Sequence, residues 1–316
     1  MNRNKWIYLA AATLMLGACS NDGEQTELTQ DRVVELKLSS SLDLQTRAAY
    51  TLTQTTQIAN GEKVYAWVDE VGASEYVHAW ELTADGAGNF SGSTQNYPVS
   101  GKPVDVYAIH GNLTGITAGT TTFPASLSHS VAADQSADYA KSDLLCASAT
   151  NCARQVAAHN LEFKHLLSKI EIYLVAGTGM TDADLETAQV TIMNTLPTTT
   201  VTLSKTTTPI ASIGAASGTA TAITAKMQTE TDQTVTISGV AQPAHRMAEA
   251  IIVPQAVNDD FIQITVGTST YTAKVNKTFD AGNKFVYNVV VNKSGIEFSS
   301  TILPWGMGET STISAQ

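Results

Sequence analysis

The 316-residue chain is long enough for about two domains at roughly 150 residues each, and so for a core that needs no metal or disulfide to hold it. Its 29 Asp and Glu against 18 Lys and Arg give a net charge of −11, which argues against the basic face that duplex nucleic acid requires, so no nucleic-acid partner is expected. With 43% hydrophobic and 15% charged residues the composition is the reverse of a disordered chain.

Residues 1–18 read as a lipoprotein signal peptide. Arg3 and Lys5 supply a positive start, and Trp6 to Leu16 an apolar stretch too short for the roughly 20 residues that span a bilayer. The stretch ends in Leu16-Gly17-Ala18-Cys19, which is similar to a bacterial lipobox with Cys19 as the lipidated residue. The alternative is an ordinary secretory signal that carries a cysteine. Residues 19–30 then form a polar stalk. No other window approaches 20 apolar residues, so the expectation is a chain tethered to a membrane, not one that spans it.

Alternation begins at residue 33. Val34, Leu36 and Leu38 share one face of an extended segment while Glu35 and Lys37 point the other way, the pattern of a half-buried strand. Leu42 and Leu44 continue the period of two after an interruption at Ser39-Ser40-Ser41. Further strand-like runs follow at 63–68, 104–110, 161–175, 189–193, 200–203 and 234–240, then at 249–253, 261–266, 271–277, 284–292 and 296–302. Turn signals at Asn60-Gly61, Asp85-Gly86 and Ala281-Gly282-Asn283 separate some of them. A dozen short strands without alternating long helices predict an all-β protein of antiparallel sandwiches. Thr181-Asp182-Ala183-Asp184 predicts one short capped helix near residues 182–188, and the Thr-, Ala- and Gly-rich stretch 204–229 a long surface loop. The pattern breaks at Gly177-Thr178-Gly179, which places a domain boundary there.

The sequence carries no motif that licenses an enzyme. There is no GxSxG, HExxH, GxxxxGK[ST] or GxGxxG, and no catalytic residue, metal site or cofactor is expected. His159 and His165 lie six apart, about 20 Å along one strand, too far to share a metal. Cys146 and Cys152 could close a small disulfide loop in an oxidising compartment, or remain two buried thiols. Trp67 reads as core. Trp80 and Tyr76 stand in a run of mixed polarity, where core packing competes with an exposed platform for a sugar ring.

Several segments in order resemble the fimbrillin-like proteins of Gram-negative anaerobes: Ser142-Asp143-Leu144-Leu145, Phe163-Lys164-His165-Leu166-Leu167-Ser168-Lys169-Ile170, Ile251-Ile252-Val253-Pro254-Gln255, Lys284-Phe285-Val286-Tyr287-Asn288-Val289 and Ile302-Leu303-Pro304-Trp305. The resemblance implies two tandem β-sandwich domains of the fimbrillin, transthyretin-like type, here 48–176 and 177–316, in a subunit of a type V fimbria. It implies an outer-membrane lipoprotein precursor anchored through Cys19 that reaches the cell surface and is cut by an arginine-specific protease. The matching bond lies between Arg47 and Ala48, after the strand segment 31–47; a cut at Arg32 would leave the strand attached. Val34, Leu36, Leu38, Leu42 and Leu44 would then fill a groove that a strand from another fimbrial subunit takes over. Beyond Trp305 the only large apolar residues are Met307 and Ile313, a poor donor strand, which leans toward a tip or accessory subunit and away from a stalk subunit. A membrane anchor that keeps Cys19 is a further option. A host or bacterial surface receptor or glycan would be its other partner. The competing reading is a lipid-anchored glycan-binding protein that never polymerises.

Overall fold

Period-two alternation becomes strands almost wherever it occurs. The computed structural model describes residues 33–42, 57–229, 233–237 and 239–305, with the backbone of 311–313. The first half holds β1 (Leu38–Leu42), β2 (Lys63–Glu70), β3 (Glu75–Ala84), β4 (Phe90–Gly92), β5 (Val104–His110), β6 (Leu113–Thr114), β7 (Ser126–Ser130), α1 (Gln135–Ser142), β8 (Leu145–Cys152) and β9 (His159–His165). Next come β10 (Ser168–Ala176), α2 (Asp182–Leu185), β11 (Gln189–Thr195), β12 (Thr198–Leu203), β13 (Ala211–Ile213), β14 (Thr221–Thr224) and β15 (Lys226–Thr229). The remainder is β16 (Thr234–Ile237), β17 (Val240–Pro243), β18 (Arg246–Ile252), β19 (Gln255–Val266), β20 (Ser269–Phe279), β21 (Asn283–Asn292), β22 (Gly295–Pro304) and β23 (Ser311–Ile313).

The protein is all-β, of the fimbrillin sandwich type. One sheet runs β1-β9-β8-β5-β2-β3-β4 and another β15-β18-β10-β21-β22-β23. Two four-stranded sheets, β14-β11-β19-β20 and β13-β12-β7-β6, and the β16-β17 hairpin complete the described strands. Most ladders are antiparallel, but β1 runs parallel to β9 and β10 parallel to β21.

Three expectations change. The run 161–175 is two strands in different sheets, because two consecutive buried leucines, Leu166 and Leu167, break the alternation and carry the chain across. The stretch 204–229 contains β13, β14 and β15 rather than one loop. Ser39-Ser40-Ser41 is no interruption: all three lie within β1, and Ser40 points inward with Leu38 and Leu42. The helix expected after Thr181 forms as α2, its capping box closed by the Thr181 and Asp184 side chains. α1, which the alternation did not announce, starts where the Asp134 carboxylate accepts from Ser136 N at 3.0 Å.

The largest core joins Trp67, Tyr107 and Ile109 on one face of the seven-stranded sheet to Leu127, Val201, Ile170, Phe261, Phe285 and their neighbours. The β7–β12 ladder pairs residues from either side of Gly177. A second core lies on the other face of the seven-stranded sheet, and it is there that β1 sits.

Candidate strand groove

The β1 segment packs as its alternation requires. Val34, Leu36, Leu38, Ser40 and Leu42 are buried, while Glu35 and Lys37 are exposed and form a surface pair at 3.7 Å. The inward leucines meet Val64, Val77, Trp80, Leu82, Leu161 and Phe163 in one cluster.

The backbone of this segment is bonded on both sides. Toward β9 it pairs in parallel from Leu38 opposite His159 to Leu42 opposite Phe163, and His159 N donates to Lys37 O at 2.9 Å. Toward the chain around β4 it makes antiparallel bridges, Glu35 with Asn96 and Ser39 with Asn89. There Leu36 N donates to Gln95 O and Ser40 N to Gly88 O, each at 2.8 Å, and Tyr97 N donates to Val34 O at 2.9 Å. Because β9 and β4 stand at opposite ends of the remaining six strands, β1 closes the sheet on itself. Without it both flanking strands become open edges.

Two features hold the groove walls. Gly88 has φ +95, a backbone conformation that favours glycine, and a Cβ there would lie 3.0 Å from Ser40 O. Tyr97 is buried, its hydroxyl 2.9 Å from Ala153 O and 2.6 Å from His159 Nε2, and burial pushes that phenol up to about 12. Sequence reading missed Ser40, Gly88 and Tyr97. Parity with Leu38 and Leu42 was the signal that could have placed Ser40 inward.

Leu44, Arg47, Ala48 and Cys19 lie outside the described residues. The disulfide expectation is corrected. Cys146 and Cys152 are free, buried and six residues apart on β8, one in each of the two larger cores. A separation of about 20 Å along a strand cannot be bridged, and burial pushes both thiols up to about 11. The sugar platform is likewise not formed. Trp80 is only 6% exposed and its indole N–H donates to Ser93 O at 2.9 Å, whereas Tyr76 is 36% exposed and its hydroxyl donates to Asn96 O at 3.2 Å. Trp80 faces the core as an ordinary inward strand residue.

The recurring motif segments converge elsewhere, on structural junctions. His165 Nδ1 lies 2.8 Å from Asp143 Oδ2, and the His165 ring stacks on Trp305 with centroids 4.0 Å apart. Gln135 exchanges two hydrogen bonds with the Ile251 backbone, extending the β18 edge where β15 has ended. Lys169, Glu171, Glu249 and Lys284 form a buried network with contacts of 2.6 to 3.2 Å. Burial alone would push the Glu171 carboxyl up, but Lys169 and Lys284 outweigh it and hold it below the usual range. Among the described residues no three His, Cys, Asp or Glu gather as metal ligands.

Three comparisons bear on this geometry. A model of the fimbrillin-like family matches residues 46–305. A Bacteroides uniformis protein named as a fimbrium subunit, Fim1C, is 27% identical over 336 aligned positions, covering 98% of this chain and 99% of its own. Among solved structures, a protein of Bacteroides uniformis titled for cell adhesion superposes with TM-score 0.58 at 22% identity, over 86% of this chain and 98% of its own. One of Bacteroides ovatus with a similar title gives 0.59 at 15% identity, over 87% and 98%. Both show the fold.

Proposed function

Since the chain belongs to the fimbrillin-like family, we propose that it is a fimbrial subunit whose β1 is a removable strand. In this reading the precursor is exported, lipidated on Cys19 and anchored in the outer membrane. A cut between Arg47 and Ala48 then frees the strand, and a strand from another subunit takes its place. The bilateral closure of the seven-stranded sheet by β1 carries the reading. Losing Val34, Leu36, Leu38 and Leu42 forfeits on the order of 10 kcal/mol of burial. That is comparable to the roughly 5–15 kcal/mol of net stability of a whole domain. The intact precursor is therefore inert, and the trimmed form needs a partner, by β-strand addition. Head-to-tail addition does not close on itself and grows a filament.

The subunit is of the accepting kind, a tip or accessory subunit without enzymatic activity. Within residues 306–316, Met307 and Ile313 are too few to fill a groove that holds Val34, Leu36, Leu38 and Leu42. At the tip it would meet a surface receptor or glycan. The burial of Trp80 weighs against the competing reading, a glycan-binding lipoprotein that stays monomeric.

The test is the N-terminal sequence and mass of the protein taken from the cell surface. A start at Ala48, abolished by Arg47→Ala, is the expected result. An acylated start at Cys19 in assembled fimbriae would overturn the trimming step.

A further inference from the structure

We infer that the groove selects its strand by size at the place of Ser40. It accepts an incoming strand of another subunit whose inward side chains read large, large, large, small, large, and it holds alanine at the small place more tightly than its own serine. This rests on the strand replacement proposed above.

The Ser40 side chain is 4% exposed, between Leu38 and Leu42 on its own strand and opposite Leu161 on β9, and its hydroxyl has no hydrogen-bond partner. A second buried oxygen without a partner, Gln57 Oε1, lies against the same stretch of wall, 2.8 Å from where a Gly88 Cβ would stand. A buried hydroxyl that bonds to nothing is worse placed than a methyl group of similar size. Alanine therefore fits this place better than serine does. A leucine does not fit. Ser40 is buried between Leu38 and Leu42 and opposite Leu161, so the added volume of a leucine has to displace those neighbours.

The same order of sizes occurs on a second strand. Leu36, Leu38, Ser40 and Leu42 match Ile296, Phe298, Ser300 and Ile302 on β22 at the same two-residue spacing, with Ser39 and Ser299 also alike. On β22 those apolar side chains pack against the main core. On both strands a small residue thus stands between large ones, buried on β1 and half-buried on β22.

The β1 strand is accordingly a filler with one poor contact, which favours its replacement. In the full chain, Ser40→Ala should raise the thermal midpoint and Ser40→Leu lower it. In the protein cut after Arg47, three labelled peptides spanning residues 31–47 and carrying Ser, Ala or Leu at position 40 compete for the groove. The alanine peptide should be retained most and the leucine peptide on the order of tenfold less. Equal retention of the leucine and alanine peptides, or a Ser40→Leu chain as stable as the parent, overturns the size selection. Failure of all three peptides to enter the fully cut protein overturns strand replacement itself.

Discussion

Leu36 is the most deeply buried residue of the segment 34–42. It is 1% exposed and surrounded by the second core, so Leu36→Ala should cost about 2–5 kcal/mol, read as a shift in the urea midpoint. His129 makes the fold sensitive to mild acid. It is fully buried with Nε2 3.1 Å from Ser142 O, and burial pushes the imidazole down to about 4. Its ordinary value is about 6.5, so between pH 6.5 and 4 the unfolded chain binds a proton that the fold refuses. The contribution is fully present above pH 6.5 and lost as pH falls toward 4, on the order of 3 kcal/mol in all. Urea midpoints at pH 7 and pH 4.5 measure it, and His129→Gln should flatten the difference. An unchanged slope in that variant would assign the acid sensitivity elsewhere.

At the scale of the element, β1 depends on its neighbours as much as on its own leucines. Gly88→Val places a branched side chain at φ +95 against Ser40 O and Gln57 Oε1. The expected outcome is faster hydrogen exchange confined to the backbone amides of Leu36, Ser40 and Tyr97, with the β10–β21 ladder unaffected. The β10 element depends on a different device. Lys169 bridges Glu171 and Glu249 inside the sheet, so Lys169→Met leaves two buried carboxylates short of a cation. The loss should be about 3–5 kcal/mol, and replacing both carboxylates as well should recover part of it. Apolar runs and alternation were enough to find β5 to the residue and β2, β20, β21 and β22 to within a few: β20 alternates between core and solvent, whereas β2, β5 and β21 place apolar residues in a core on each face. Alternation failed at β9 and β10, strands of two different sheets, because the adjacent Leu166 and Leu167 between them are both buried in one core and hide the break.

At the scale of the whole molecule, the closed seven-stranded sheet means that trimming changes the fold globally. Protein cut after Arg47 and stripped of residues 1–47 should bind a hydrophobic dye and self-associate, and a peptide of residues 31–47 should suppress both. A stripped protein that stays monomeric and binds no dye would show that the remaining six strands close without β1. The same architecture holds the two halves of the chain together. Lys205, from the turn after β12, reaches Asp69 at 2.7 Å and Glu75 at 2.8 Å on the β2–β3 hairpin and lies over the rings of Tyr107 and Phe123.

The sequence by itself determined the all-β class, the inward and outward faces of the segment 34–38 and the order of motifs that marks the family. Each of these is written in local periodicity or in short contiguous runs. Only the tertiary structure decided that β1 is bonded on both flanks, that Ser40 is an inward residue of a crowded groove, and that Trp80 is core. It also separated Cys146 from Cys152 and brought Asp143, His165 and Trp305 together. The physical reason is that a period of two tells which residues share a face, whereas what lies opposite that face is set by ladders between residues more than a hundred positions apart.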